Sequence, residues 1–553
     1  MARETESCAA SLLGDERRTT SHRCAGKRWS SFAVGCIFVA GVVLLNFRSV
    51  KMNMVMTLQK LGSWAEGEAE EPFCTNIGDE DNQFCMPLKL TSADTPPFNS
   101  YEMNLIYLYF LGNMNVQGIG GVLASPDKET PGGSYFFHWE RDAALSIRTM
   151  VAVREGYTDY KTSMMKNLRA YINWCDKLET ASTPNGIEII IEPKFELPHG
   201  NVFTGDWCRP QNDAPGLKAI ALIEYAYMMW EEGENATIDE LIKDYFWTND
   251  ITKKKGGIIF RNMEYVVHNW AAYTCDLWEE VSSNDIFWNR LTMKKALLMA
   301  SRFARQLGNT TQAEIYDTEV RNMDLKGWTS HWNESARGGS LYVKEIGEKT
   351  LRGRRECDAA VILAFNHGWD APSGQWAPHE YAVAKTVLEY NRIFTQEYLT
   401  NTQDTKDNVG GILYGRYPKD DYAGGNAWIM TTGALAQLLY RAAWCIKQHG
   451  LPAEYVMQVW RQALHMDLVD DKDIMALKFA TAADAVLLRV SHHIRGDNFH
   501  MFEQIGSSSG RQVGARDLTW SYAEVLWAMH ARKQFFDLEA NSTLGLRKDA
   551  SEM

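Results

Sequence analysis

The stretch "APGLKAIALIEYAYMMW", Ala214 to Trp230, sets Leu222, Tyr225, Ala226 and Met229 at i, i+3, i+4 and i+7, and its other faces are also apolar apart from Lys218 and Glu224. A helix that is apolar nearly all round has no face to turn to water, so it must lie inside a large protein, covered on every side. The covering elements are legible. Leu518, Tyr522, Val525, Leu526 and Met529 form a second helical stripe, and similar spacing predicts helices over 143–156, 159–178, 289–306, 380–397, 427–447 and 472–492. Strand-like alternation is scarce, with "GIEIIIEP" near residue 189 the clearest candidate. No unit recurs at a constant period with shared positions, which argues against a solenoid. One mainly helical, all-α domain over residues 97–538 is expected.

An apolar content of 45% with 12% aromatics excludes a disordered chain, which lacks the apolar surface needed to offset its ordering entropy. The net charge of −13 opposes binding to a phosphate backbone, so no nucleic-acid partner is expected. The 19 Trp suit flat apolar walls that meet a partly polar ligand.

Phe32 to Phe47, "FAVGCIFVAGVVLLNF", is uncharged and almost wholly apolar. The leader before it is long for a signal peptide and no A-x-A-like site follows, so a retained anchor over 32–47 is expected, with secretion after cleavage as the alternative. Arg17, Arg18, Arg23, Lys27 and Arg28 precede it, against Arg48 and Lys51 after it. That asymmetry makes residues 1–31 a cytoplasmic tail and places the rest in a lumen or outside, as a type II membrane protein. Residues 48–96, with acidic runs, read as a linker or stalk, and 539–553 as a C-terminal tail. Sequons at Asn235, Asn309, Asn333 and Asn541 fit a lumenal or extracellular domain. Beyond the anchor stand Cys74, Cys85, Cys175, Cys208, Cys275, Cys357 and Cys445. Their odd number leaves one thiol unpaired unless a second chain supplies a partner, and only Cys74 with Cys85 suggests a local bridge.

"HWERDAA", "DWCRPQNDAPG", "GRYPKDDYAGGNAW" and "GARDLTW" each set an Arg and an Asp ahead of a helical segment. Any one Asp reads as a helix N-cap. The aromatic and basic neighbours say more: Trp139 with Arg141, Trp207 with Arg209, and Arg416 with Trp428 all lie in loops that lead into apolar helices. If the helices form a ring, one mouth gathers indoles and guanidiniums, a lining suited to a neutral polyhydroxylated ligand.

Metal hydrolysis has little support, because His379-Glu380 begins an H-E-x-x-H pattern that Val383 breaks, and no metal or cofactor is expected. His492-His493 reads as structural or exposed. "GSSSG" around Ser508 lacks the helix that a nucleophile elbow requires, and neither a dinucleotide fingerprint nor a P-loop is present. Paired carboxylates remain. "CDLWEEVSSND" holds Asp276, Glu279 and Glu280, the last two adjacent and facing different ways.

Together, "CDLWEEV", "RPQNDAP", "GRYP" with "GNAW", and "EQIGSSSGRQVGARDLTWSYAE" resemble the glucoamylases of glycoside hydrolase family 15, in collinear order from about residue 100 to 535. The resemblance implies an (α/α)6 barrel with its active site at the N-terminal ends of the inner helices. It implies inverting release of β-glucose from the non-reducing ends of α-glucans. By the same matching, Glu279 is the general acid and Glu503 the base. Such a pair is expected roughly 6.5 to 9.5 Å apart, with a water between base and sugar. Arg141, Asp142 and Arg416 would bind the terminal glucose, and Glu280, Trp207 and Arg209 the leaving-group side. Tyr135, Trp139 and Trp428 would wall the pocket, with Leu277 and Trp278 beside them, and Asp276 would support the acid. Cys275 and Ile505 depart from the family pattern and bear on substrate preference. An α-glucan substrate and a monomer are expected. A non-catalytic sugar-binding regulatory module, or a hydrolase of trehalose or another α-glucoside on the same fold, are the alternatives.

Overall fold

The computed structural model describes residues 74–75, 81–247, 256–334, 341–347 and 357–551. The expected anchor over 32–47 lies outside these residues, and among the described residues no helix is long and apolar enough to cross a membrane.

The helices run in the order α1 (Ser100–Gly112), α2 (Glu140–Val153), α3 (Lys161–Glu179), α4 (Asp213–Glu231), α5 (Asn235–Leu241), α6 (Ile258–Asn269), α7 (Phe287–Gln306) and α8 (Thr310–Lys326). There follow α9 (Ala360–His367), α10 (Tyr381–Glu397), α11 (Leu399–Lys406), α12 (Ile429–His449), α13 (Glu454–Leu464), α14 (Lys472–Ile494) and α15 (Thr519–Ser551). Helices α2, α4, α7, α9, α12 and α15 pack in that cyclic order, with α15 returning to α2, and close a ring. Outside it, α1 lies on α15, α6 on α4 and α7, α8 on α7, and α14 on α12. This six-membered ring with an outer helical layer is the (α/α)6 arrangement.

The all-round apolar stretch is α4, buried from Asp213 through Ile223, with α12 buried almost as completely. The polar exception, Lys218, is also buried: its ammonium lies 3.0 Å from Glu140 of α2 and 2.9 Å from Glu179 of α3. One cation thereby joins two inner helices to an outer one.

The strand expected near residue 189 is corrected, whereas the bridge expected between Cys74 and Cys85 is present. Ile189–Ile191 form a single 3-10 turn, because Ile190 and Ile191 turn onto Tyr265 instead of alternating across a sheet. The strand begins later, at β2 (Lys194–Glu196), antiparallel to β1 (Phe137–Trp139). The remaining sheet consists of short antiparallel pieces, β3 (Thr274–Cys275) with β4 (Ser282–Ser283), β5 (Trp332–Glu334) with β6 (Leu341–Val343), and β7 (Ala427–Trp428) with β8 (Gln504–Ile505) and β9 (Gln512–Val513); the first and last groups stand at helix entrances. Residues 81–96, expected as the end of the stalk, lie on the domain: Phe84, Cys85 and Met86 are buried, and Cys85 exchanges backbone hydrogen bonds with Gly411. Cys74 and Cys85 are bridged, as are Cys208 and Cys275, while Cys175, Cys357 and Cys445 are buried outside these bridges. Helix α15 continues through the expected C-terminal tail to Ser551.

Replacing Lys218 by Met would leave Glu140 buried without its cation. The expected cost is about 3–5 kcal/mol, read from the urea midpoint; a loss below about 1 kcal/mol would show that the cluster does not join the two layers.

Candidate active site

The loops that enter the inner helices converge on one cavity of about 390 Å3. β1 delivers Trp139 and, in the first turn of α2, Arg141 and Asp142. The segment before α4 brings Trp207 and Cys208, the β3–β4 loop brings Leu277 through Glu280, the approach to α12 brings Arg416, Tyr422 and Trp428, and the approach to α15 brings Glu503 and Trp520.

The aspartates read as caps sit one step further in. Trp139 and Asn212 occupy the N-cap positions, Asp142 and Asp213 lie inside the first turns, and both carboxylates face Arg141, at 3.5 and 3.6 Å. Arg141 also donates to Gln211 at 3.0 Å and to Glu279 at 3.2 Å. Burial pushes Asp142 up to about 6, and Glu279 and Asp213 add to the rise against the pull of Arg141.

Glu279 stands on neither helix nor strand. Its φ of +64° is left-handed, which costs a residue with a side chain roughly 1–2 kcal/mol. The loop is held in that shape from beneath by Asp276, which is 1% exposed: one carboxylate oxygen accepts from the backbone N–H of Glu280 at 2.8 Å and Val281 at 2.9 Å, the other from Trp278 at 3.3 Å. Gln211 donates to Glu279 at 3.0 Å. The next carboxylate points elsewhere, as expected: Glu280 pairs with Arg416 at 2.9 Å and accepts from Tyr417, while Arg416 also forks onto Asp420 with two bonds of 2.7 Å.

Glu503 has a different environment. It is 1% exposed, directly before β8, and accepts from the hydroxyl of Tyr135 at 2.6 Å and from the amide of Gln504 at 3.2 Å. Tyr422 extends the chain, its hydroxyl 2.6 Å from that of Tyr135. Gly514 presses close, with a φ of +79°, and a Cβ there would meet a Glu503 oxygen at 2.5 Å. Burial pushes Glu503 up to about 7, against the lowering effect of the Tyr135 hydrogen bond and the Ala515 backbone.

Aromatic rings wall the space. Trp139 lies 6.0 Å from Trp207 and 5.9 Å from Tyr135, and Trp278 5.8 Å from Trp428. Among the described residues the buried indole N–H groups of Trp207 and Trp428 have no hydrogen-bond partner, and one buried oxygen of Asp142 has only its ion-pair contact with Arg141. Donors and acceptors beside flat apolar faces are what a ring of hydroxyls requires.

Of the expected site residues, Tyr135, Trp139, Arg141, Asp142, Trp207, Leu277, Trp278, Glu279, Glu280, Arg416, Trp428 and Glu503 line this cavity, whereas Asp276 and Arg209 do not. Arg209 turns away to Glu192 at 3.0 Å and to the carbonyls of Gly205 and Trp207, so its guanidinium shapes the loop that carries Trp207. Arg416 and Glu280, expected on opposite sides of the scissile bond, share one corner. Gln211, Tyr422 and Trp520 carry no signal of their own inside the quoted motifs, and Asp213 reads there only as a cap. Lys194 gave no signal: buried in β2, its ammonium faces the rings of Phe137, Trp139, Phe203 and Trp207, the last at 3.6 Å. "GSSSG" is the β8–β9 turn. His493 clamps that turn, with its ring nitrogens 2.8 Å from the Gly510 carbonyl and 2.8 Å from Asp404.

The model of the family described as glycosyl hydrolases family 15 matches residues 107–530. A glucoamylase of Blastobotrys adeninivorans is 29% identical over 79% of this chain and 71% of its own length. Glucoamylase-1 of Schizophyllum commune is 30% identical over 75% of this chain and 69% of its own. The solved family 15 glucoamylase of Hypocrea jecorina superposes with a TM-score of 0.67 at 26% identity, covering 79% of this chain and 72% of that one.

Asp276→Ala would remove the acceptor for three backbone N–H groups. A stability loss of about 1–3 kcal/mol is expected in chemical unfolding, and an unchanged midpoint would show that the loop is held by its other contacts.

Proposed function

The chain belongs to glycosyl hydrolase family 15, and from that membership and the cleft we propose an inverting exo-acting glucoamylase. It releases terminal α-1,4-linked glucose, with α-1,6-linked glucose as a second substrate, from the non-reducing ends of starch, glycogen and maltooligosaccharides. The observation that carries this reading is the presence of two carboxylates, Glu279 and Glu503, in one aromatic cavity with different surroundings. The relatives named glucoamylase support the same substrate class.

In this reading Glu279 protonates the leaving glycosidic oxygen while Glu503 takes a proton from the attacking water. Tyr135 and Gln504 fix one oxygen each of Glu503, so its lone pairs are aimed before the water arrives. Burial raises its basicity, which strengthens it as a base once it is ionised. Arg141 and Asp142 offer a paired donor and acceptor to the hydroxyls of the terminal glucose, and Arg416 with Glu280 offers a second pair. Tyr135, Trp139, Trp207, Trp278, Trp428 and Leu277 give apolar faces to the C–H faces of the sugars. Asp276 and Arg209 act through the loops they shape. The enzyme needs no metal or cofactor in this scheme. A purely sugar-binding regulatory module would have no use for two such carboxylates, and a panel of maltose, isomaltose and trehalose separates the hydrolases.

Residues 32–47 act as the membrane anchor of a type II protein, with residues 1–31 in the cytoplasm and the catalytic domain, a monomer, in a lumen or outside the cell. Two disulfides support an oxidising compartment. The sequon residue Asn235 is exposed, as glycosylation requires.

Glu279→Gln and Glu503→Gln should each lower kcat on maltose by about 10²–10⁴-fold, and wild-type turnover in either would remove that residue from the chemistry. The base works only when ionised, so kcat/KM should rise as pH rises through about 7, the position set by Glu503. Tyr135→Phe takes away a hydrogen bond that favours ionisation and should move this acid limb to higher pH; a limb that stays in place would contradict the pairing.

A further inference from the structure

The acid loop is anchored in the core by Leu277 and Trp278, and at its base by a covalent bond. Cys275, 1% exposed, is the last residue of β3 and directly precedes Asp276. Its sulfur is bonded to that of Cys208, which lines the cavity beside Trp207. The bridge spans a sequence separation of 67 residues. Around it the two segments are sewn together: the Cys275 N–H donates to the Pro210 carbonyl at 2.8 Å, and the Asn212 N–H donates to the Thr274 hydroxyl at 2.9 Å. Gln211 completes the seam, because its amide donates both to the Cys208 carbonyl at 3.1 Å and to Glu279 at 3.0 Å. Residues 203–210, by contrast, are exposed or half-buried throughout. The covalent link thus ties the Trp207 segment directly to the base of the Glu279 loop at the cleft.

We propose that the Cys208–Cys275 disulfide is a positioning element for the proton donor, and that the half-buried place of Cys208 at the cleft wall puts hydrolysis of glucosides that need protonation under thiol–disulfide control. This rests on the reading of Glu279 as the acid. A dithiol such as dithiothreitol would attack one sulfur as its thiolate, form a mixed disulfide, and close its own ring with the second thiol. Two electrons pass to the protein and both cysteines leave as thiols. Glu503, directly before β8 and held by Tyr135 and Gln504, belongs to a different segment from this seam, so the base should keep its place.

The test compares maltose, whose leaving sugar must be protonated, with α-glucosyl fluoride, whose leaving fluoride needs little proton donation. Cys208→Ser/Cys275→Ser should lose kcat on maltose by at least about tenfold while retaining most of its turnover of the fluoride, since small misplacement of a catalytic group is costly. The acid limb of the pH profile should not move. As a measurement free of folding failure, the full chain carrying Cys74→Ser/Cys85→Ser should lose maltose activity on treatment with dithiothreitol and regain it on reoxidation, with fluoride turnover nearly constant. Equal losses on both substrates, or no loss on either, would overturn the proposal. Glu279→Gln is the control: if it hydrolysed maltose normally, the acid assignment would be the part that failed.

Discussion

The buried guanidinium of Arg141 is the contact on which the cleft depends. It stands at the entrance to α2 and meets Asp142 from its own helix, Asp213 from α4 and Glu279 from the β3–β4 loop. Three carboxylates in a nearly dry space repel one another strongly, because the field that water would screen is left intact. One fixed cation, unable to lose its proton, makes their convergence tolerable. The same residue reaches further. Asp213 accepts from the indole of Trp288 on α7 at 2.8 Å, and the guanidinium lies 5.6 Å from the ring of Trp520 on α15. Four of the six inner helices are therefore registered at the cavity floor by one charge and its partners.

On that floor the two glutamates are differentiated by what surrounds them. Glu279 is held on a strained loop, among an arginine, an amide and the Asp276 platform. Glu503 is buried against the Tyr135 hydroxyl, the Gln504 amide and a glycine, and burial lifts it well above the ordinary carboxylate range. The two like groups thus stand in different environments, and each carboxylate is aimed by its own set of partners. Arg416 repeats the Arg141 device at the other corner, neutralising Glu280 and Asp420 so that a second set of charges can face a neutral sugar.

Much of this was legible in the residues. The all-round apolar stretch at 214–230 dictated an interior helix, and it is one. The adjacency of Glu279 and Glu280 implied two directions, and they point to different arginines. What remained hidden was mostly contact across distant segments. Short apolar helices such as α9 have too few turns to show a period, and α8 carries mixed faces, so neither announced itself. The run of isoleucines at 189–191 carries strand composition but packs as a turn, because tertiary contact with Tyr265 decides it. Arg209 looked like a ligand for sugar by its place beside Trp207, yet nothing in the local sequence shows that Glu192 waits behind it. The pairing of Cys208 with Cys275 and the cage around Lys194 depend on the folding of separate loops onto one another, which spacing along the chain does not encode.

The central claim is that Glu279 and Glu503 act on opposite sides of the scissile bond, one giving a proton and the other activating water in a single displacement. Proton NMR of the first glucose released from maltose by the purified domain tests this directly, because the new anomeric proton is read before mutarotation mixes the forms. The account predicts β-glucose as the initial product. Initial α-glucose would mean that the configuration is retained, and would contradict the division of labour between the two carboxylates.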